Sequence, residues 1–397
     1  MNDPWEAFRE RARGVEVAGY FERAPASPGG SGRATWFDRA DQVLTLDPRS
    51  DFDSLSGAAD RYLAGGPRRI ILGYLGFDAV GLFEPALRRF PPGAPFPLGE
   101  FALVGRVHRG LAPARRRTAR LSARPAGPPG DSLPARPYGA GVRRLRRDIR
   151  DGEAYQVVLA HRRTWDRPVD LIERAGLLRA TERYAYFYYL RFGDREILGA
   201  SPESVVEVDG RSATVNPIAG TLPAGARAHG RSALASDPKE LAEHRMLVDL
   251  ARNDLGRVAV PGSVRVVQRE ARVRYARLEH LVSRVRARLA RGIGPWETLA
   301  ATFPAGTVSG APKIRATELL RREEGTWRGP YAGAVGYLRP GRRADWALTI
   351  RTAFAAGRHL YTAAGAGIVY RSDPAREYHE TLTKLAHIER ILVGGGG

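Results

Sequence analysis

Apolar and polar residues follow two different periods along this chain. Short runs rich in aromatic and β-branched residues, such as YQVVLAHRRTW, YAYFYYLRF and VVEVDG, are bounded by turn residues and predict strands. Strand runs interrupted by separate helices favour an α+β fold with mostly antiparallel sheets over a doubly wound fold. Apolar residues spaced three or four positions apart predict helices at 141–151, 168–181, 237–254, 295–302 and 374–392, and another from about 312.

Turn residues and composition divide the chain into unequal parts. Residues 1–110 predict a smaller, mainly β N-terminal portion, and the Pro-, Gly- and Arg-rich residues 111–140 predict a linker or a long surface connection. Residues 141–392 predict the main core, in which YAGAVGYL, ADWALTIRTAFAAG and HLYTAAGAGIVY are each expected to form one strand. The closing residues 393–397 predict a flexible tail.

The composition narrows the class of protein. The chain has 397 residues, of which 43% are hydrophobic, and this is enough to bury a substantial core. No apolar run approaches the roughly 18 residues of a membrane span, and the first residues lack the apolar stretch of a signal peptide. We therefore expect a soluble, cytoplasmic protein with no membrane partner. The chain has no cysteine, which excludes disulfides, thiolate metal sites and a cysteine nucleophile.

The formal net charge of +20 raises the alternative of a basic nucleic-acid-binding protein. Arginine is scattered over the whole chain, however, and its densest stretch, 111–150, is also rich in proline and glycine. No zinc-finger spacing, recognition-helix pattern or aromatic–basic RNA signature accompanies it, so a solvated surface is favoured and no nucleic-acid partner is expected. Only three of the 63 basic residues are lysines, namely Lys239, Lys313 and Lys384.

Two predicted helices carry pairs of glutamates, Glu240 with Glu243 and Glu377 with Glu380. The members of each pair lie on one helix face about a turn apart, where like charges repel. Either pair alone is explained by an exposed helix face whose glutamates form ion pairs with arginines. Four converging carboxylates would instead require a divalent cation, and ligation by oxygen atoms alone suits Mg²⁺. The sequence thus leaves open a magnesium site between the two helices.

Three glycine-rich turns, NPIAGT, FPAGTVSGAPK and AAGAGI, expose consecutive backbone amides that can surround an anion. None matches a P-loop or the dinucleotide-binding glycine pattern, so nucleotide binding is not supported. Together with Arg351 and Tyr331 on adjacent predicted strands, they favour a small polycarboxylate ligand. Glu203 follows a predicted strand and could protonate a leaving group, whereas His280 borders an apolar stripe, where a structural histidine is the commoner case.

Taken together, these motifs resemble those of one enzyme family. NPIAGT, the run from Glu240 to Val258, HLVSRV, FPAGTVSGAPKIRATELL, YAGAVGY, IRTA, AGAGIVYRSDP and EYHETLTK occur in the order and spacing of the chorismate-utilising enzymes. The resemblance covers roughly residues 140–392; it is closest to anthranilate synthase component I and extends to aminodeoxychorismate synthase component I. It implies an α+β fold with two large packed antiparallel sheets and helices outside, and a chorismate-binding catalytic core.

The resemblance assigns the paired glutamates to a metal ion. It implies that Glu243 and Glu380 bind Mg²⁺ directly and that Glu240 and Glu377 support the ion through water. The ion would hold the ring carboxylate of chorismate. Magnesium is therefore the cofactor that the resemblance implies.

The resemblance also assigns the remaining chemistry. It implies that Glu203 assists departure of the C4 hydroxyl of chorismate and that His280 takes part in the later elimination of pyruvate. The implied contacts to the substrate carboxylates are Tyr331, Arg351, Gly365, Ala366, Gly367 and Lys384, and the implied pocket walls are Gly220, Thr221 and Thr307.

Two positions separate the branches of this family. Isochorismate and salicylate synthases carry a water-activating lysine where this chain has Gln156, and a glutamine cannot act as a base. Aminodeoxychorismate synthases typically carry a nucleophilic lysine in the NPIAGT turn, at the position of Ala219, which cannot attack. What remains is direct attack of ammonia at C2, which gives 2-amino-2-deoxyisochorismate and then, after loss of pyruvate, anthranilate.

Within the family, the alternatives are aminodeoxychorismate synthase component I and an enzyme that stops at 2-amino-2-deoxyisochorismate. GYFERA and ERYAYFYYLRFGD replace the L-L-E-S and N-P-S-P-Y-M segments of feedback-regulated anthranilate synthases, which puts tryptophan inhibition in doubt. Release of ammonia from glutamine requires a thioester, which a chain without cysteine cannot form. We therefore expect a separate glutamine amidotransferase subunit and a hetero-oligomer.

Overall fold

The structure is a computed structural model of the 397-residue chain. The residues that it describes are 3–25, 30–113, 128–166, 170–182, 184–223, 227–228, 231–232, 238–275 and 278–393. The predicted linker at 111–140 therefore lies partly outside them, at 114–127, and the predicted tail lies outside them from residue 394.

The alternating apolar runs form strands, and every pairing between strands in the described residues is antiparallel. The strands are β1 Val17–Arg23, β2 Gly32–Phe37, β3 Gln42–Leu46, β4 Ile70–Leu75, β5 Gly99–Val104, β6 His108–Ala112, β7 Gly130–Asp131, β8 Gln156–Asp166, β9 Tyr186–Phe192, β10 Arg195–Ser201, β11 Ser204–Asp209, β12 Ser212–Val215, β13 Ile218–Pro223, β14 Arg227–Ala228, β15 Arg231–Ser232, β16 Arg265–Tyr275, β17 Leu278–Arg288, β18 Gly310–Ala311, β19 Ala334–Arg339, β20 Arg343–Leu348, β21 Thr352–Ala356 and β22 His359–Ile368.

The helices begin where the sequence offers a residue that favours a helix start. Asp51 and Asp170, for example, each accept a hydrogen bond from a backbone amide two residues later. In the part of the chain that the structure describes, no helix is both long and apolar enough to cross a lipid bilayer. The helices are α1 Pro4–Arg11, α2 Phe52–Ala64, α3 Val80–Phe83, α4 Ala135–Arg150, α5 Leu171–Thr181, α6 Pro238–Gly256, α7 Pro295–Thr302, α8 Gly306–Ser309, α9 Lys313–Glu324 and α10 Pro374–Val393.

The strands build two large sheets. One has the order β18-β8-β22-β21-β10-β9-β1-β2-β6 with β7 beside β8, and the other has the order β13-β17-β12-β11-β20-β19-β4-β5-β3 with β16 beside β17. The rings of Phe21 in the first sheet and Tyr337 in the second are 5.4 Å apart, so the sheets pack against each other. The predicted α+β fold with two packed antiparallel sheets is confirmed.

Strand β9 shows how alternation places side chains in two cores. Tyr186 and Tyr188 belong to the core between the sheets, whereas Phe187 and Tyr189 belong to a second core that includes Trp5 of α1. Strand β1, which pairs with β9, extends the first sheet from the N-terminal portion, and β4, which pairs with β19, extends the second. The N-terminal residues therefore build part of the same two-sheet core.

The structure corrects two predictions of where strands and helices begin or end. ADWALTIRTAFAAG is not one strand, because β20 ends at Leu348 in one sheet and β21 starts at Thr352 in the other. The break lies where Arg351 adopts a positive φ of 52°, which ends the extended conformation. The helix predicted at 141–151 begins at Ala135, after a proline that starts it.

Candidate active site

The chain passes between the two sheets at two neighbouring points, which Glu203 and Arg351 occupy. Glu203 lies between β10 and β11, and Arg351 lies between β20 and β21. The two crossings are adjacent because β10 pairs with β21 and β11 pairs with β20. The carbonyl oxygen of Arg351 also accepts a hydrogen bond from the backbone of Ala200 at 3.3 Å. Sheet pairing therefore brings together a carboxyl group and a guanidinium group that are distant in sequence.

The environment of Glu203 favours a proton donor near neutral pH. Burial raises the pKa of its carboxyl group to about 7, although the hydroxyl of Thr307 and the charges of Arg351 and Lys384 act in the opposite direction. Thr307 Oγ1 donates a hydrogen bond to Glu203 Oε1 at 2.7 Å. A carboxyl group that is half protonated near pH 7 can give its proton to a leaving group.

The AAGAGI segment is not the predicted turn but lies in β22, next to the side chain of Gln156 at the start of β8. Gly367 lies opposite Val158 of β8, and a Cβ atom on it would be 2.5 Å from Nε2 of Gln156. Only a glycine leaves room for that amide at this position. Lys384 Nζ donates a hydrogen bond to the carbonyl oxygen of Gly365 at 2.9 Å. Because residues two apart share one face of a strand, both glycines lie on the same face of β22, where they leave room for side chains of β8.

Each of the two helices with paired glutamates places one glutamate side chain near this stretch of β22. Glu243 of α6 accepts a hydrogen bond from Gln156 Nε2 at 3.1 Å. Glu380 of α10 has its Oε1 atom 2.7 Å from Nζ of Lys384. Because Gln156 and Lys384 contact the two glycines of β22, one carboxylate from each predicted pair lies at this site.

The four predicted metal ligands do not form a single cluster. Glu240 and Glu377 are partly buried a turn before Glu243 and Glu380, and no group of three or more His, Asp or Glu residues within the described ranges is arranged to hold a metal ion. The chemistry of Glu243 and Glu380 still fits Mg²⁺, because both offer carboxylate oxygens that now accept from an amide and an ammonium. Mg²⁺ commonly binds through one or two carboxylates and retains several waters.

The other predicted residues lie on several elements. Gly220 and Thr221 lie in β13, at an irregularity in its pairing with β17, and the side chain of Thr221 is outside the described part of the chain. His280 is buried on β17. Tyr331 is buried in the core between the sheets, where burial raises the pKa of its hydroxyl, and Ala366 is buried between the two glycines of β22.

A buried ion pair that sequence reasoning missed supports β8 beside the site. Arg328 Nη2 lies 2.5 Å from Glu324 Oε1, and both side chains are nearly inaccessible. Glu324 accepts a hydrogen bond from the backbone amide of Ala160 at 2.9 Å, and Arg328 donates to the carbonyl oxygen of Val158 at 2.8 Å. These backbone groups lie between the segments of β8 that pair with β18 and β7, so the ion pair replaces missing strand hydrogen bonds.

A second missed network holds α10 against β8. His161 Nδ1 lies 2.8 Å from Asp131 Oδ1, and its Nε2 lies 2.8 Å from the hydroxyl of Thr381. Tyr378 donates a hydrogen bond to the same aspartate at 2.9 Å. Thr381 and Tyr378 flank Glu380 on α10, so the network orients the helix that carries this glutamate. No spacing in the sequence indicates it, because its members come from three distant segments.

An acid with a pKa near neutrality lies beside an arginine and a lysine, a combination that can act as an acid–base site for a small anion. The family of chorismate binding enzymes matches residues 113–390, and this chain belongs to that family. The resemblance read from the motifs is thereby confirmed.

Relatives and a solved structure agree with this assignment. The chain is 43% identical over 267 residues to anthranilate synthase component 1 of Methanothermobacter thermautotrophicus, covering 66% of this chain and 58% of that protein. It is 39% identical over 371 residues to anthranilate synthase component 1 of Streptomyces coelicolor, covering 79% and 71%. The structure of anthranilate synthase component I from Streptococcus pneumoniae matches with a TM-score of 0.77 at 29% identity, covering 92% of this chain and 93% of that chain. The chain thus spans less than two thirds of the Methanothermobacter protein.

Proposed function

We propose that this chain is a lyase of the anthranilate synthase component I type, which converts chorismate and ammonia to anthranilate and pyruvate through 2-amino-2-deoxyisochorismate. The observation that carries the proposal is Glu203, an acid whose pKa is raised to about 7 beside Arg351 and Lys384. Two relatives, 43% and 39% identical, bear the name anthranilate synthase component 1, which supports chorismate as the substrate.

Each step of the proposed reaction can be assigned to side chains or backbone groups of this chain. Tyr331, Arg351, Lys384 and the backbone of β22 bind the carboxylates of chorismate, with Thr307 in the pocket wall. Glu203 gives its proton to the C4 hydroxyl, which leaves as water while ammonia adds at C2. His280 then assists the elimination of pyruvate by transferring a proton, and the ring becomes aromatic.

Mg²⁺ is part of the proposal. Glu243 and Glu380 would hold the ion, with Glu240 and Glu377 acting through water. When bound, the ion supplies positive charge that neutralises the ring carboxylate of chorismate. The glutamates and the ammonium of Lys384 thus serve to orient the substrate rather than to react with it.

Gln156 supports ammonia rather than water as the nucleophile. Its side chain is buried, and its amide donates to Glu243 beside Gly367. An amide in this place can orient a neighbour, but it cannot remove a proton from water. Isochorismate formation is therefore disfavoured.

We expect the Gln156→Lys variant to form some isochorismate, because desolvation of the introduced lysine favours its neutral, basic form. Products are separated by liquid chromatography after incubation with chorismate and Mg²⁺ in the absence of ammonium. Gln156→Met, of similar length and without a basic nitrogen, is the control and should form none. The interpretation is wrong if the unaltered chain already yields isochorismate or salicylate as its main product.

The proposed function is tested by the nitrogen source and the product. With chorismate, Mg²⁺ and ammonium salts, the purified chain should form anthranilate at a rate that rises with pH as NH₄⁺ gives way to NH₃, and loss of the Glu203 proton should oppose this rise above about pH 7. Glutamine should support turnover only with a separate glutaminase subunit, because this chain has no cysteine to form the thioester. Aminodeoxychorismate and 2-amino-2-deoxyisochorismate are isomers of equal mass, so chromatography against standards and NMR of the isolated product separate these alternatives. Strong glutamine-dependent activity of the single chain would refute the two-component proposal.

We expect tryptophan at millimolar concentration to leave the activity unchanged. The segments that replace the feedback motifs pair as β1 and β9, where Arg23 lies opposite Tyr186. The Arg23 guanidinium lies over that ring and forms ion pairs with Glu207 at 2.8 Å and Asp345 at 2.9 Å. A charged network therefore occupies the place where these two segments meet, so an indole would have to displace ion pairs there. Inhibition at micromolar tryptophan, seen alongside a tryptophan-sensitive enzyme as control, would contradict this expectation.

A further inference from the structure

The ammonium of Lys313 and the carboxylate of Asp254 form a buried ion pair that the proposed reaction does not use. Lys313 Nζ lies 2.8 Å from Asp254 Oδ1, and the two side chains are only 10% and 11% exposed. Lys313 Nζ also donates a hydrogen bond to the carbonyl oxygen of Thr302 at 3.2 Å. Burial lowers the pKa of Lys313 and raises that of Asp254, and the attraction between them opposes both changes. Such a pair is stable only because each charge has its partner.

This ion pair joins three segments around the proposed acid. Thr302 is the last residue of α7 and Lys313 is the first residue of α9. Their hydrogen bond therefore holds together the two ends of the connecting segment 303–312. Thr307, which donates to Glu203, lies within that connection. Asp254 is in the last turn of α6, the helix that carries a proposed metal ligand. The ammonium of Lys313 therefore links the connecting segment 303–312 to α6.

Close packing supports the same arrangement. Gly306 of α8 lies so near α6 that a Cβ atom on it would be 2.7 Å from Leu250 Cδ1. Asp254, Thr302 and Thr307 also line one narrow cavity together with Glu203. The base of the connection and the proposed acid are therefore walls of the same space.

We infer that Lys313 and Asp254 are positioning residues, which hold the hydroxyl of Thr307 against the carboxyl group of Glu203. The inference rests on the proposed function for its effect on turnover, but not for the contact itself. A lysine suits this place because its compact ammonium donates to a carboxylate and a carbonyl oxygen at once. The neighbouring Arg257 is engaged elsewhere, 2.8 Å from Glu84.

The test removes the ion pair without leaving one buried charge behind. Lys313→Met combined with Asp254→Leu replaces both charges by apolar side chains of similar size, and Thr307→Val removes the hydroxyl directly. Arg252→Met, which breaks an exposed ion pair with Asp249 on the same helix, is the matched control. Thermal unfolding of each variant shows whether the fold is retained.

The decisive measurement is the titration of Glu203. It is followed in the pH profile of kcat and, without any turnover, by infrared difference spectroscopy of the carboxyl group, assigned with Glu203→Gln. The groups that face Glu203 are Thr307, Arg351 and Lys384. Because the Thr307 hydroxyl stabilises the ionised carboxylate, its loss raises the pKa of Glu203 and moves the basic limb of the profile to higher pH.

We expect the Lys313→Met/Asp254→Leu variant to lower kcat about tenfold to a hundredfold, with little change in KM for chorismate. Its Glu203 titration should move as far as that of Thr307→Val, and adding Thr307→Val to it should change nothing more. An unmoved titration, or effects that simply add, would overturn the inference. A moved titration in a chain that fails to turn over chorismate would refute the proposed function alone.

Discussion

Replacing Glu203 by glutamine is expected to lower kcat about a hundredfold to ten-thousandfold, since general acid catalysis contributes a factor of that size. Glutamine keeps the length of the side chain and an oxygen that can accept from Thr307, but it has no acidic proton to give to the C4 hydroxyl. Chorismate affinity should change little, because Arg351 and Lys384 are retained. The measurements are kcat at constant free ammonia and the dissociation constant of chorismate by calorimetry.

The pH profile supplies an internal control for this prediction. The pKa of Glu203 is raised by burial to about 7, so the protonated form predominates below that pH and is lost as the pH rises through it. At constant free ammonia, kcat of the unaltered chain should therefore fall above about pH 7, and Glu203→Gln should lack this limb. A Glu203→Gln variant that retains more than about a tenth of the activity would show that another group supplies the proton.

Glu243→Gln and Glu380→Gln should each abolish Mg²⁺-dependent turnover while the fold remains intact. Both substitutions keep the side-chain shape and remove one negative charge, so the cation is held less tightly and the substrate carboxylate is not neutralised. A bound metal supplies several kcal/mol of charge stabilisation, which corresponds to a loss of at least about a hundredfold at limiting Mg²⁺. Initial rates are measured across a Mg²⁺ titration.

The control for the metal prediction is Glu318→Gln on α9. Glu318 is an exposed helical glutamate that pairs with Arg315 at 2.7 Å, well outside the proposed contacts. It should show the Mg²⁺ dependence and unfolding temperature of the unaltered chain. If Glu243→Gln or Glu380→Gln ran at the unaltered rate at limiting Mg²⁺, these glutamates would not be ligands.

Most of the fold prediction rests on the local periodicity of apolar residues. The long helix from Pro238 and the final helix from Pro374 begin within one residue of their predicted starts, because helical periodicity depends only on nearby residues. The split of ADWALTIRTAFAAG was missed for the converse reason. Both halves are apolar and buried, so nothing in their periodicity shows that they belong to different sheets.

The candidate site likewise combines motifs that the sequence shows with contacts that it does not show. The glutamate pairs and glycine-rich segments are visible as motifs, since each is a run of neighbouring residues. The contacts of Glu203 with Thr307, of Glu243 with Gln156 and of Lys384 with the Gly365 carbonyl are not visible. They join segments that only the pairing of the sheets and the packing of the helices bring together.

By itself, the sequence determined the class of fold, the family and the identity of the candidate residues, because periodicity, composition and short motifs are properties of neighbouring positions. The tertiary structure alone decided that Glu203 and Arg351 occupy adjacent crossings between the sheets and that Lys313 closes the connection carrying Thr307. It also decided that the pKa of Glu203 is raised to about 7. That value depends on the loss of water around the carboxyl group and on charges from distant segments, and both arise only when the chain is folded.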